Sequence, residues 1–291
     1  MVDPFPMPRA LVRAVEQEGR DAWLLTLPQT VHELKDRWRL SVGEPFQRGG
    51  QCAWVAPVRD STGAELVLKV AWLHPEADHE ADGLREWAGA GAVRLHASAD
   101  LEDATALLIE RCIPGRAADS RPEPEQDAIV AGLLRRLWRQ PAPGHRFRKL
   151  QVMCDMWAEK FEHKAALTED ALDPGLIREG IDLFRALPAS ADEQVLLCTD
   201  LHAGNILAAE RQPWLVIDPK PYVGDPAYDV LQHLLNCKAR LVADPWDLVG
   251  RMAGLAGVDK DRVSVWLFAR CVVESIHWPD LREVARRLAR G

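Results

Sequence analysis

The chain has 291 residues, 47% apolar and 27% charged, with a net charge of −8, the balance of a globular protein with one large core or two smaller ones. The acidic excess excludes general nucleic-acid binding, which needs a basic face, but not a nucleotide held by a metal ion and a few local cations. No run of about 18 apolar residues is present to span a membrane, the opening MVDPFPMPRALVRAVEQEG lacks the apolar stretch of a signal peptide, and the six scattered cysteines show no metal spacing, so the expectation is a cytoplasmic protein with reduced core thiols.

In chain order, QCAWVAPVRD, the turn STG and AELVLKVAW alternate as a β-hairpin over about 51–72. PEADHEADGLREWAGAG reads as a helix ending at Gly89 or Gly91, and AVRLHASAD and ATALLIERCI as two more strands, giving an antiparallel sheet with one helix. PGRAADSRPEPE, rich in Pro, Gly and charge, is the best boundary. It predicts an N-terminal unit over 1–110, a hinge over 111–118 and a helical unit over 119–291. EQDAIVAGLLRRLWRQ places Ile129, Leu133, Leu134 and Leu137 on one helix face. Further helices fit about 150–167, 175–187, 226–241, 245–255 and 261–289. The exception is Val195 to Asp218, where VLLCT, NILAAE and WLVID read as short strands. The fold class is α+β.

The chemistry concentrates in that exception. If the turn joining ILAAE to WLVID takes four residues, 210–213, Asn205 stands opposite Asp218 with Cβ atoms about 4.5–5.5 Å apart. That separation suits two oxygen ligands on one Mg²⁺; a one-residue slip would put the side chains on opposite faces. Asp200, five residues before Asn205, reaches the same ion-bound substrate. Phosphoryl transfer needs metals to neutralise phosphate charge, ligands to hold them, and one carboxylate to orient the acceptor hydroxyl. Protein kinases carry the last two as D-x-x-x-x-N, with a second metal aspartate after a strand. The order here is Asp200, Asn205, Asp218.

Lys69, inside the apolar run LVLKVAW, needs a partner. Nucleotide phosphates would serve, with a carboxylate from the next helix: Glu80, with Glu76 and Glu86 as rivals. Gly49 and Gly50 offer backbone N–H groups to phosphates, although neither a P-loop nor a G-x-G-x-x-G is present. Asp225 before Pro226 reads as an N-cap, Asp229 as a first-turn acid favoured by the helix dipole, and His202 as a loop-shaping hydrogen-bonder. Two other classes fit parts of the pattern. A metal-dependent hydrolase would use Asp200, His202 and Asp218 but leaves Asn205 and Lys69 unexplained. A nucleotide-binding module without turnover would not need all four polar residue types.

LLCTDLHAGNIL, WLVIDPKPYVGDPAYDV, AVRL and LLIERCIPG, within a stretch from about Trp38 to Leu241, resemble the aminoglycoside phosphotransferases, most closely the streptomycin 6-phosphotransferase and hydroxyurea phosphotransferase branch. The resemblance implies a two-lobed protein-kinase-like fold with ATP and Mg²⁺ as cofactors. It implies Asp200 as catalytic base, Asn205 and Asp218 as magnesium ligands, Lys69 on the α- and β-phosphates, and Glu110-Arg111-Cys112 as the segment whose backbone meets adenine. One departure is visible: the family usually has His-Gly before the base, and this chain has Cys198-Thr199. In the resembling family the helices matching 155–193 help form the acceptor site. Here that stretch carries ten acids (Asp155, Glu159, Glu162, Glu169, Asp170, Asp173, Glu179, Asp182, Asp192, Glu193) against four lysines or arginines. The expected acceptor is therefore a cationic small molecule such as streptomycin, with neutral hydroxyurea as the alternative and solvated helix faces as the plainer account of the charge. A monomer without nucleic-acid or membrane partners completes the expectation.

Overall fold

The computed structural model describes residues 5–47, 49–168 and 172–289, and of Glu76 the backbone alone. The chain divides into two compact units, Met1–Gly115 and Arg116–Gly291.

The first unit is built on a five-stranded antiparallel sheet: β1 (Ser41–Val42), β2 (Ala53–Arg59), β3 (Glu65–Trp72), β4 (Leu95–Asp100) and β5 (Ala104–Glu110), in the order β1-β2-β3-β5-β4. The β2–β3 hairpin and the β4 and β5 strands match the alternation in the sequence. β3 is central, and Lys69 stands between Val55 of β2 and Leu107 of β5. Two helices beyond the predicted elements precede the sheet, α1 (Arg9–Glu18) and α2 (Asp21–Trp38). Their buried residues, Leu11 and Val15, then Trp23, Leu27, Val31 and Leu34, recur at helical spacing. They join Trp54, Leu68 and Trp72 of the sheet in one core. The helix read from the sequence is α3 (Glu80–Trp87); it closes on Ala88 in the left-handed region, before either predicted glycine.

The unit boundary falls within β6 (Pro114–Ala117), and the second unit goes on with α4 (Glu123–Leu137), α5 (Leu150–Ala165), α6 (Pro174–Ala186), β7 (Val195–Leu197), β8 (Ile206–Ala209), β9 (Trp214–Val216) and β10 (Tyr222–Gly224). It continues with α7 (Pro226–Asp229), α8 (Leu231–Asn236), α9 (Lys238–Ala243), α10 (Pro245–Ala256), α11 (Lys260–Glu274) and α12 (Leu281–Leu288). Two small sheets, β6-β8-β9 and β10-β7, lie among these helices. The long helices expected over 226–241 and 261–289 are both interrupted. The second breaks ahead of Pro279, which denies helical backbone to its predecessor. α11 is buried along most of its length, from Val263 to Val273. Gly180 of α6 meets it so closely that a Cβ there would stand 2.5 Å from Val272 Cγ2.

A polar network ties four helices of this unit together. Asp127 of α4 is fully buried. Its Oδ1 accepts from His233 Nε2 of α8 (2.9 Å) and Arg240 Nη1 of α9 (3.0 Å). Its Oδ2 accepts from Arg240 Nη2 (2.9 Å) and Arg251 Nε of α10 (2.6 Å). Burial pushes the carboxyl upward, but the bonds from His233, Arg240 and Arg251 outweigh it and hold Asp127 well below the usual carboxylate range. Among the described residues no helix is long and apolar enough to cross a membrane, and no disulfide joins the cysteines.

Asp127→Asn is expected to destabilise the chain by roughly 2–4 kcal/mol at pH 7, since it leaves two guanidinium groups against a neutral amide; partial exposure of both arginines keeps the figure below that for a fully buried pair. Because the folded carboxyl titrates below its unfolded value of about 3.9, the stabilisation is present above that pH and lost as pH falls further. Urea unfolding from pH 7 to pH 3 should therefore show the gap between wild type and variant closing in acid.

Candidate active site

The site in the second unit is a loop held at both ends. β7 is wholly buried and delivers Cys198, also buried, to the loop start. There the backbone N–H groups of Cys198 and Thr199 donate to Asp229, at 2.9 Å to Oδ2 and 2.6 Å to Oδ1. The Trp138 indole N–H adds a third bond, 2.9 Å to Oδ2. Burial pushes the Asp229 carboxyl up to about 6, while those three bonds pull it down. All three partners are donors, so the loop is built around the ionised acid. Asp229 thus does far more than sit in the first turn of a helix. Asp225 caps α7 as expected, accepting from Ala227 N–H at 2.9 Å. Its other oxygen accepts from Arg262 Nε (2.6 Å) and Trp266 Nε1 (2.7 Å) of α11.

Beyond Thr199 the chain turns through Asp200. Asn205 donates its side-chain Nδ2–H to the Asp200 carbonyl at 3.0 Å and its backbone N–H to the His202 carbonyl at 2.9 Å. His202 Nδ1 accepts the Gly204 N–H at 3.1 Å, closing a short 3-10 turn over Ala203–Asn205. Burial holds the His202 pKa below its usual value, with Asp200 and Asp218 opposing and Lys220 assisting. His202 therefore shapes the loop.

The hairpin that follows corrects one expectation. The register pairs Ile206 with Val216 and Leu207 with Leu215, and Ile217 N–H donates to the Asn205 carbonyl at 2.9 Å. Asn205 is therefore opposite Ile217, not Asp218: the turn holds three residues, one fewer than predicted, and the register slips by one. On a regular strand the slip would send Asp218 to the other face. Asp218 is not on a regular strand, since its φ is +54°. This left-handed residue lies beyond the ladder, which ends at Val216. Asp200 and Asp218 both lie near enough to act on Cys198 and His202.

Sequence reasoning missed Lys220. Its Nζ lies 2.9 Å from Asp200 Oδ2. Its N–H donates to the Cys198 carbonyl at 2.9 Å, and its own carbonyl accepts from Thr199 Oγ1 at 2.5 Å. The signal available was the tetrapeptide Asp218-Pro219-Lys220-Pro221, a cation between two prolines in an acid-rich segment.

In the first unit, Lys69 Nζ lies 2.8 Å and 2.6 Å from the two oxygens of Glu80 on α3. Of the three candidate acids the structure joins Glu80 to the lysine; the Glu76 side chain lies outside the described residues. Gly49 N–H donates to the Phe46 carbonyl at 2.9 Å, and a Cβ at Gly49 would meet that oxygen at 2.9 Å, so only glycine fits there. A Cβ on Gly50 would meet nothing nearer than 3.7 Å. Glu110 ends β5 with its carboxylate on the Arg94 N–H at 2.9 Å. Cys112 is half-buried.

A hydrolytic metal centre of Asp200, His202 and Asp218 is not assembled. His202 Nδ1 is taken by Gly204, and among the described residues the histidine, cysteine and acid group at metal-ligand spacing is Asp127, His233 and Cys237. Both oxygens of that aspartate are already held by arginine.

The family model described as aminoglycoside/hydroxyurea antibiotic resistance kinase matches residues 37–281. A streptomycin 6-kinase from Streptomyces glaucescens is 32% identical over 283 residues, covering 94% of this chain and 89% of that protein. A hydroxyurea phosphotransferase from Kitasatospora aureofaciens is 36% identical over 257 residues, covering 87% and 73%. Among solved structures, a choline kinase from Streptococcus pneumoniae aligns with a TM-score of 0.60 at 13% identity, over 90% of this chain and 98% of that one. At that identity the likeness speaks for the fold, a protein-kinase-like α+β arrangement.

Replacing Asp229 by asparagine turns one acceptor oxygen into a donor facing donors. The expected cost is about 1–3 kcal/mol, the penalty for a buried donor left without a partner, with faster hydrogen exchange at the Cys198 and Thr199 amides. Since burial raises the folded pKa above the unfolded value, this group's contribution to stability falls as pH rises from about 4 to about 6 and is flat above. The asparagine variant should lack that slope in unfolding measurements over the same range.

Proposed function

The chain belongs to the aminoglycoside/hydroxyurea antibiotic resistance kinase family, and on that premise we propose that it moves the γ-phosphate of ATP to a hydroxyl of streptomycin or a related aminoglycoside. The observation that carries the reading is the closed loop from Asp200 to Asn205. Two hydrogen bonds from Asn205 fix the backbone beside the acid, and the Asp200 side chain keeps 18% exposure. In this role Asp200 orients the acceptor hydroxyl and accepts its proton as the hydroxyl oxygen attacks phosphorus.

The donor set suits a hard cation. With its nitrogen committed to the Asp200 carbonyl, the Asn205 amide presents its oxygen as the remaining polar atom, and Asp218 supplies a carboxylate. These two would hold Mg²⁺, which when bound neutralises phosphate charge. Lys69, paired with Glu80, would reach the α- and β-phosphates; Gly50 would bring its backbone N–H to them, the Gly49 N–H being held by the Phe46 carbonyl; the backbone of 110–112 would take adenine. On this reading 1–110 binds nucleotide, 111–118 is a hinge and 119–291 carries the acceptor. Chemistry on ATP suits a cytoplasmic enzyme.

Streptomycin rather than hydroxyurea follows from charge. Of the ten acids over 155–193, Glu162 is paired with Arg185, Asp155 accepts from Gln151, and Asp173 caps α6. Glu169 and Asp170 lie outside the described residues. Glu159, Glu179, Asp182, Asp192 and Glu193 remain exposed, enough to favour a polycation and of no use to a neutral acceptor.

Asp200→Asn is expected to lower kcat by about 10³-fold or more while ATP affinity, read by calorimetry, stays within a few-fold. Near-normal turnover would reject the base assignment. With Mg-ATP and a panel of streptomycin, other aminoglycosides, hydroxyurea and small amino alcohols, mass spectrometry should find the phosphorylated product with streptomycin or a related aminoglycoside. The KM for that acceptor should rise steeply between low and physiological salt, as the Debye length shrinks to about 8 Å; exclusive phosphorylation of hydroxyurea would overturn the acceptor.

A further inference from the structure

We propose that Lys220 is the positioning residue of the base: its ammonium holds Asp200 Oδ2, so that Oδ1 is the oxygen presented to the acceptor hydroxyl, and the Thr199 hydroxyl sets this lysine in place. The inference rests on reading Asp200 as the base.

Three observations carry it. First, the ion pair is short, 2.9 Å, yet neither side chain is deeply buried, at 27% exposure for Lys220 and 18% for Asp200. A pair that keeps this access to water adds little to stability, so stability is a poor reason for its existence. Second, the lysine is tied down at both ends of its backbone to the two residues that precede the base. Its N–H is on the Cys198 carbonyl and its carbonyl on Thr199 Oγ1. A lysine backbone fixed to the loop gives its ammonium a defined origin from which to reach the carboxylate. Third, Thr199 has φ +52°, a region that disfavours a β-branched residue and costs a glycine almost nothing. A glycine at 199 would relieve that strain but supply no hydroxyl. The hydroxyl is what the threonine adds, and its partner is Lys220.

The loop backbone is held without the ammonium, by Asp229 at one end and Asn205 at the other. What the ammonium adds is therefore the rotation of the Asp200 carboxylate. In the reaction the acceptor O–H proton passes to Oδ1, the acceptor oxygen bonds to the γ-phosphorus, and the bond to the β–γ bridging oxygen breaks with its electrons leaving on ADP. A carboxylate turned away from the hydroxyl delays the first of these events and leaves binding intact.

The test uses the full chain with Mg-ATP and streptomycin. Lys220→Met is expected to lower kcat about 100-fold, the scale of a misplaced catalytic group. Acceptor KM and the ATP dissociation constant by calorimetry should hold within about threefold, and the melting temperature should be nearly unchanged. Lys220→Arg should recover most of the lost kcat. Thr199→Val, which keeps the shape and removes the hydroxyl, should lower kcat several-fold, and Thr199→Ser should not. A Lys220→Met enzyme with more than half of wild-type kcat, or one that loses ATP binding or folding, overturns the proposal. Asp200→Asn separates the failures: if it is inactive while Lys220→Met is active, this inference alone falls; if it turns over, the base assignment falls with it.

Discussion

A buried carboxylate with three donors around it is the constraint on which the site depends. Placing an ionised Asp229 in the interior is unfavourable unless its oxygens are satisfied. Here the satisfying groups are the backbone of Cys198 and Thr199 and the indole of Trp138. The acid and the loop are therefore mutually required: the loop N–H groups would be orphans without the acid, and the acid would be desolvated without the loop. The rigidity has a traceable origin. α11 is buried, its Arg262 and Trp266 grip Asp225, Asp225 caps α7, and α7 carries Asp229. Core burial is thereby converted, in four steps, into the position of Asp200.

The two lysines do different work in different surroundings. Lys69 and Glu80 retain 12% and 6% side-chain exposure, so the pair is largely desolvated. Such pairs roughly break even in stability; what they fix is the place of a charge on a central strand. Lys220 and Asp200 are wetter and correspondingly cheaper to separate. Asp127, with two arginines and a histidine, is the third pattern: a carboxylate saturated by donors and so committed to joining helices.

The strands were legible because alternation of apolar and polar residues is a local property that survives into the fold. β2, β3, β4 and β5 all lie within the predicted stretches. α1 and α2 carry the same signal at helical period, in Leu11 and Val15 and in Trp23 through Leu34, but prolines at 4, 6, 8 and 28 are helix-breaking signals by local rules; Pro28 in fact sits inside α2. The hairpin register was not legible. Whether Pro213 belongs to the turn or to the ladder decides it, and both readings satisfy the same apolar pattern. Asp200, Asn205 and Asp218 stood out because their order and spacing are local. Lys220 and Asp229 owe their roles to partners about 20 to 90 residues away in the chain. A first-turn acid and a lysine between prolines look ordinary until those partners arrive.

The loop is also strained at two matched points. Thr199 and Asp218, each two residues beyond a strand, β7 and β9 in turn, both have φ slightly above +50°, where side chains other than glycine are disfavoured. Such residues persist when their surroundings over-determine them. For Thr199 the determinants are explicit: its N–H on Asp229, its hydroxyl on Lys220, and its neighbour's carbonyl on the Lys220 N–H. The departure from a His-Gly pair at 198–199 is thus compatible with the turn a glycine would make. Buried Cys198 fills the apolar space at the end of β7, and Thr199 accepts the left-handed backbone in exchange for a hydrogen bond that glycine lacks. The same geometry is reached by a different balance, less conformational freedom and more fixed contacts, and the extra contact falls on the residue that touches Asp200.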